Sequence, residues 1–161
     1  MVSRIIERMV SYFGEDRKRI NHALKVYGFS KAILGGEELA EKTVLVVELA
    51  AVLHDIGIKE AERKYNSSEA RYQEEEGPAI AQAIMAEAGV EESIMGRVCH
   101  IIGNHHSYGK IDSIEFQIVV EADFIVNIFE DNMDPNAVKT IKDKYFKTQV
   151  GKSIIKSMYS I

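Results

Sequence analysis

Apolar side chains in this chain of 161 residues return every three or four positions, and nowhere alternate for long. That spacing is the mark of helices that bury one face. The turn signals between apolar stretches are few: Gly14, Gly35-Gly36, Gly57, Gly77-Pro78, Gly89, Gly103-Asn104, Gly109 and Asp134-Pro135. Together they predict an all-α fold with helices near residues 2 to 13, 15 to 34, 39 to 56, 68 to 88, 91 to 104, 113 to 132, 135 to 146 and 150 to 160. Pro135 suits a first helical position, where the missing N–H would have no intrahelical partner. Gly77-Pro78 marks either a second such start or a break inside the 68 to 88 segment. The run TVLVVELAAVL, Thr43 to Leu53, has the β-branched content of a buried strand. Its length, its Ala-Ala step and the lack of partner strands favour a helix.

Length and composition fit one soluble globular domain over 1–161, without repeats or low-complexity tracts. The formal charge is −5, and the only short basic block is DRKR, Asp16 to Arg19, which argues against duplex nucleic acid as the main partner. Cys99 is the single cysteine, so an internal disulfide or a multi-cysteine zinc site is excluded. Charges interrupt the N-terminal segment, and Glu48 interrupts the longest apolar run. Neither a signal peptide nor a membrane span is expected, and a cytoplasmic location follows as the default.

Against this background a few polar residues fall on apolar faces. His22 shares a face with Val26, Phe29 and Ile33; His54 follows Val47, Ala50 and Ala51; Asp55 follows Ala51 and Val52. Asp123 lies among Val119, Val120, Val126 and Asn127, where an unpartnered carboxylate would cost several kcal/mol to desolvate. Singly, each reads as a hydrogen-bonded core residue or a cap. Jointly, two imidazoles and two carboxylates from three helices suit a divalent cation. His54 and Asp55 are separated by about 100° on a helix, so both reach one ion only near the helix end, where Gly57 lets the backbone turn away. The remaining histidines, His100, His105 and His106, cluster in VCHIIGNHHSYGK and could supply phosphate ligands or proton donors beside such an ion.

These residues resemble the HD-domain metal-dependent phosphohydrolases, whose pattern is H…HD…D on a helical bundle. His22 in RINHALKVYGFSKAIL looks like the first histidine, His54-Asp55 in AAVLHDIGI like the HD pair, and Asp123 in VVEADFIVN like the final aspartate. GPAIAQAIM followed by VCHIIGNHH is similar to the middle portion. The resemblance covers a motif core of about 15 to 130, and the C-terminal helices of about 135 to 160 lie outside it.

The resemblance implies one divalent ion held by His22, His54, Asp55 and Asp123, and an enzyme that hydrolyses a small phosphoester, nucleotides included, with metal-activated water. Manganese, iron, cobalt, nickel or zinc suit these ligands better than magnesium. Asp55 could take a proton from the water, and His105 or His106 could stabilise the phosphate or protonate the leaving oxygen. His100, His105 and Lys59, with Arg71 and Lys110, are the expected substrate contacts. Two departures stand out. Family members with two ions carry a histidine shortly before the glycine of the middle helix, where this chain has RYQEEEGP; a single ion is therefore expected, with a glutamate as the substitute if a second binds. Some single-ion nucleotidases have an acidic residue three positions after the HD aspartate, where Ile58 stands here and where Glu60 or Glu62 would have to serve. A regulatory domain that binds metal and nucleotide without turnover is the alternative, and a purely structural helical module is the third reading. No oligomeric state is implied.

Overall fold

The computed structural model describes residues 1–161 and contains nine α-helices, one short 3₁₀ turn and no strand. The helices are α1 Val2–Phe13, α2 Arg17–Leu34, α3 Glu41–Leu53, α4 Ile58–Tyr65, α5 Ala70–Glu87, α6 Glu92–Ile102, α7 Ile114–Glu130, α8 Pro135–Tyr145 and α9 Gln149–Tyr159. The 3₁₀ turn, Tyr108–Lys110, precedes α7.

Polar caps set several starts. Asp16 accepts from the Arg19 amide at the head of α2, and Asp134 accepts from the Asn136 and Ala137 amides with Pro135 in the first turn of α8. Thr148 accepts from the Gly151 amide at the head of α9. The TVLVVELAAVL run is helical and buries Val46, Val47 and every residue from Leu49 to Leu53. Such a helix belongs in the middle of a protein, as does α7, which buries residues on all its faces. α2 packs against both α3 and α7, α6 packs against α3 and α5, and α1 closes over α3. α8 and α9 lean on α7 from outside the central group.

The structure departs from the sequence expectations at three places. Ile58–Tyr65 forms a helix of its own, burying only Ala61 and ending at Asn66 in the left-handed conformation, φ 48°. Pro78 neither starts nor breaks α5: the helix runs through it, forgoing one N–H bond. Gly57 does not turn the chain through a special dihedral, since its φ is −75°. A Cβ there would instead lie 2.5 Å from the Gln73 carbonyl oxygen and from the Gly77 nitrogen. Glycine is required because the corner after α3 touches the backbone of α5 directly. That close approach fixes the end of α3 against α5 and so sets where the side chains of His54 and Asp55 leave the bundle.

Candidate metal centre

His22 projects from the middle of α2, His54 and Asp55 from the end of α3, and Asp123 from the middle of α7. Their ends converge. The His22 Nε2 lies 3.1 Å from His54 Nε2 and 3.2 Å from Asp123 Oδ1. Asp55 Oδ2 is 3.4 Å from each of those two imidazole nitrogens, and His54 Nε2 is 3.4 Å from Asp123 Oδ1. Donor atoms held about 2.1 Å from one ion are about 3.0 Å apart as octahedral neighbours and about 3.4 Å apart in a tetrahedron. His22 Nε2, His54 Nε2 and Asp123 Oδ1 therefore have the spacing and the mixed nitrogen and oxygen chemistry of a divalent cation site, and Asp55 Oδ2 stands at its edge beside both imidazoles.

Each donor is held in place by a second contact. His54 Nδ1 donates to the Ala51 carbonyl at 2.8 Å, directing Nε2 to the cluster. His22 Nδ1 faces Glu130 Oε2 at 3.2 Å, and Lys25 holds the other oxygen of Glu130 at 2.7 Å. Asn127 donates to Asp123 Oδ1 at 2.8 Å. Asp123, Asn127 and Glu130 thus form one polar stripe on α7, at offsets of four and seven residues.

The charges are mutually dependent. Burial alone would favour a protonated Asp123, but the imidazoles of His54 and His22 hold it well below the usual carboxylate range. Asp55 is likewise held low against burial, by His54 and His105. In turn His54, which burial would keep neutral, is raised well above its ordinary value by Asp55 and Asp123, and His22 is raised as well. Two carboxylates here call for compensating positive charge, which protonated imidazoles or a metal cation can provide.

Asp55 also faces the other way. Its Oδ1 lies 3.3 Å from Nε2 of His105, whose Nδ1 donates to the Ile102 carbonyl at 2.8 Å. His105 packs against His106, with ring centroids 3.9 Å apart and planes tilted by 43°, and Asp55, His105 and His106 form a second group whose ligand atoms are within 4.8 Å of one another. Burial and the neighbouring His105 push His106 down to about 4, so it is neutral at physiological pH. Glu74 fixes this loop by accepting from the His106 amide and the Ser107 hydroxyl. Two buried polar atoms beside Asp55 have no partner, Gln73 Oε1 and His106 Nε2, and both residues line a 450 Å³ cleft with Asp55 and Tyr108.

The HD-domain family model matches residues 19–128, most of the chain and all four candidate ligands. The chain belongs to the HD-domain family. No curated protein and no solved structure matches it. The family match ends before α8 and α9, so those two helices lie outside the matched residues.

Within this HD domain the structure brings His22, His54, Asp55, Asp123, His105 and His106 together. It does not bring the other expected contacts there. His100 points away, 3.5 Å from Asp112 Oδ2 and edge-on to Phe116. Lys59 donates to the Tyr12 carbonyl and covers that ring. Arg71 pairs with Glu69, and Lys110 donates to Asn104. Glu60 and Glu62 are engaged by Arg63 and Arg19, and Glu76 by Lys64 and Tyr65, which leaves none of them as an added ligand. The residues that support the candidate centre and that sequence reasoning did not assign to it are Glu130, Asn127 and Glu74. The first two were within reach of helical spacing from Asp123; Glu74 depends on a contact 32 residues away.

No helix is long and apolar enough to cross a membrane.

Proposed function

We propose that this HD domain is a phosphohydrolase that binds one divalent ion through His22, His54, Asp55 and Asp123 and cleaves a small phosphoester, a nucleotide being the favoured class. The observation that carries this reading is the convergence of four donor atoms from three helices, each oriented by a further contact, at the edge of a cleft lined by His106 and Tyr108. A bound divalent ion would lower the pKa of a coordinated water and polarise a phosphoryl oxygen.

The chain's own groups would supply the remainder. Asp55 Oδ1 is free of the first donor set and lies next to His105, so it is placed to accept a proton and pass it to that imidazole. His106, being neutral, serves as a hydrogen-bond partner of a phosphoryl oxygen, and the leaving oxygen recovers the proton from His105 by way of Asp55 Oδ1, since Asp55 and not His105 borders the cleft. A second ion on Asp55, His105 and His106 is the competing reading, favoured by the unpartnered Gln73 Oε1 and His106 Nε2.

Assays of p-nitrophenyl phosphate and of a nucleotide panel across manganese, iron, cobalt, nickel, zinc and magnesium test the reading. Metal-dependent turnover that His54→Ala and Asp55→Ala each reduce at least a hundredfold is expected. Undiminished activity in both variants would exclude this centre, and nucleotide binding without turnover under any ion would favour a regulatory role.

A further inference from the structure

The positive charge of this acidic chain is not evenly spread. Residues 135–161 contain six lysines, Lys139, Lys142, Lys144, Lys147, Lys152 and Lys156, and one acidic side chain, Asp143, in a chain of net charge −5. Elsewhere many cations are held by carboxylates, as in Arg8 with Glu87, Lys31 with Glu48, Lys42 with Glu91 and Arg97 with Asp112 and Glu115. On α8 and α9 only Lys142 has a carboxylate neighbour, Asp143 at 3.7 Å. Lys147 donates to the Lys144 carbonyl, and Lys144 lies over the Tyr145 ring.

Five of these lysines, all but Lys139, line concavities that succeed one another from the candidate metal centre. The cleft at Asp55 and His106 has Tyr108 in its wall. Tyr108 also borders a groove of 590 Å³ lined by Tyr145, Lys144 and Lys147. Lys147 in turn borders a hollow of 380 Å³ with Lys142, Lys152 and Lys156, in which Asp143 is the one acidic side chain. Each is of the size that holds a small organic ligand. Tyr108 and Tyr145 are partly exposed, with ring centroids 4.8 Å apart. A basic groove with interleaved aromatic rings suits single-stranded nucleic acid, whose phosphates meet the lysines and whose bases meet the rings.

We propose that the face formed by Tyr108, Lys144, Tyr145, Lys147, Lys152 and Lys156 is a binding track for a short single-stranded oligonucleotide whose end reaches the candidate metal centre. This deepens the phosphohydrolase reading and rests on it for the chemistry, but binding to the track is independent of turnover. Duplex is not the occupant, because the track is a row of separate hollows rather than a face for a rigid helix.

The test is fluorescence anisotropy of labelled hexathymidylate with the full chain. Neutralising about four phosphates gives a log–log salt slope of about −3, or roughly a fiftyfold loss of affinity between 50 and 200 mM salt. Lys147→Glu/Lys152→Glu and, separately, Lys144→Glu/Lys156→Glu are expected to weaken binding at least tenfold with unchanged circular dichroism. Arg4→Glu/Arg63→Glu, an equal change of charge elsewhere, is expected to weaken it less than threefold. Equal losses in all three variants would overturn the proposal. So would equal affinity for an abasic phosphodiester of the same charge, or binding to phosphatidylglycerol vesicles without binding to the oligonucleotide. Hexathymidylate binding without hydrolysis of any phosphoester would leave the track standing and remove the enzyme; metal-dependent turnover of p-nitrophenyl phosphate without hexathymidylate binding would do the reverse.

Discussion

The carboxylate of Glu130 stands 3.2 Å from Nδ1 of His22, the ring nitrogen opposite the one that faces the donor cluster. A carboxylate behind a ligand histidine fixes the ring and raises its basicity, and loss of such a partner costs about 10 to 100-fold in metal affinity in typical sites. Lys25 anchors the other oxygen of Glu130, so the residue is held rather than free.

Glu130→Gln is accordingly expected to weaken divalent-ion binding about tenfold and Glu130→Ala by more, as read by competition with a metal-sensitive dye. Affinity equal to wild type in both would remove Glu130 from the site.

The interplay of charges gives a pH dependence whose sign depends on the metal. His54 and His22 are raised, so their stabilising contribution is full below the ordinary histidine value and is lost as pH rises through their folded values. Asp55 and Asp123 are lowered, so theirs is present above the ordinary carboxylate value and is lost as pH falls through their folded values. In a chelator the midpoint of thermal unfolding is therefore expected to fall between pH 6 and pH 9. With saturating manganese it is expected to rise over the same range, because metal binding competes with protons for the same nitrogens. Parallel slopes with and without metal would contradict the arrangement.

Much of this site was legible in the sequence because helical spacing alone places His22, Asp55 and Asp123 on apolar faces, where a polar group demands an explanation. The HD pair was also correctly located at a helix end, although α3 stops at Leu53 and His54 occupies its C-terminal cap. What spacing could not supply were contacts between distant segments. Lys59 and His100 looked available beside the motif, yet each is taken by a neighbour that only the packing of helices provides. The short helix α4 was missed although Ile58, Ala61 and Tyr65 recur at helical spacing, because its eight residues make only about two turns and bury only Ala61.

Gly57 and Gly96 should respond oppositely to alanine. At Gly57 the new methyl would meet the backbone of α5, an overlap that side-chain motion cannot relieve, and a loss of about 1–3 kcal/mol is expected. At Gly96, exposed within α6 and with nothing within 4 Å, alanine should add about 0.5–1 kcal/mol through helix propensity. Urea unfolding of both variants reads the contrast, and a Gly57→Ala protein as stable as wild type would mean that the α3 to α5 corner is looser than described.

Glu121 makes the strongest demand outside the metal centre. Its fully buried carboxylate accepts from the Thr148 amide at 3.0 Å, from the Thr148 hydroxyl, from the Lys147 amide and from Gln117, and so ties the start of α9 to α7. Glu121→Ala would leave several buried donors unpaired at about 1–3 kcal/mol each, so a loss of at least about 3 kcal/mol is expected by chemical denaturation. Amide exchange is expected to be faster in α9 than in α3. Uniform exchange across the chain would contradict the local role.

The central claim is that His22, His54, Asp55 and Asp123 hold one ion. Anomalous diffraction at the manganese, iron, cobalt, nickel and zinc edges from crystals grown with each metal tests it most directly. A single peak about 2.0–2.2 Å from His22 Nε2, His54 Nε2, Asp55 Oδ2 and Asp123 Oδ1 is expected for at least one of these metals. No peak among those four atoms for any metal, or one seated only on Asp55, His105 and His106, would contradict it.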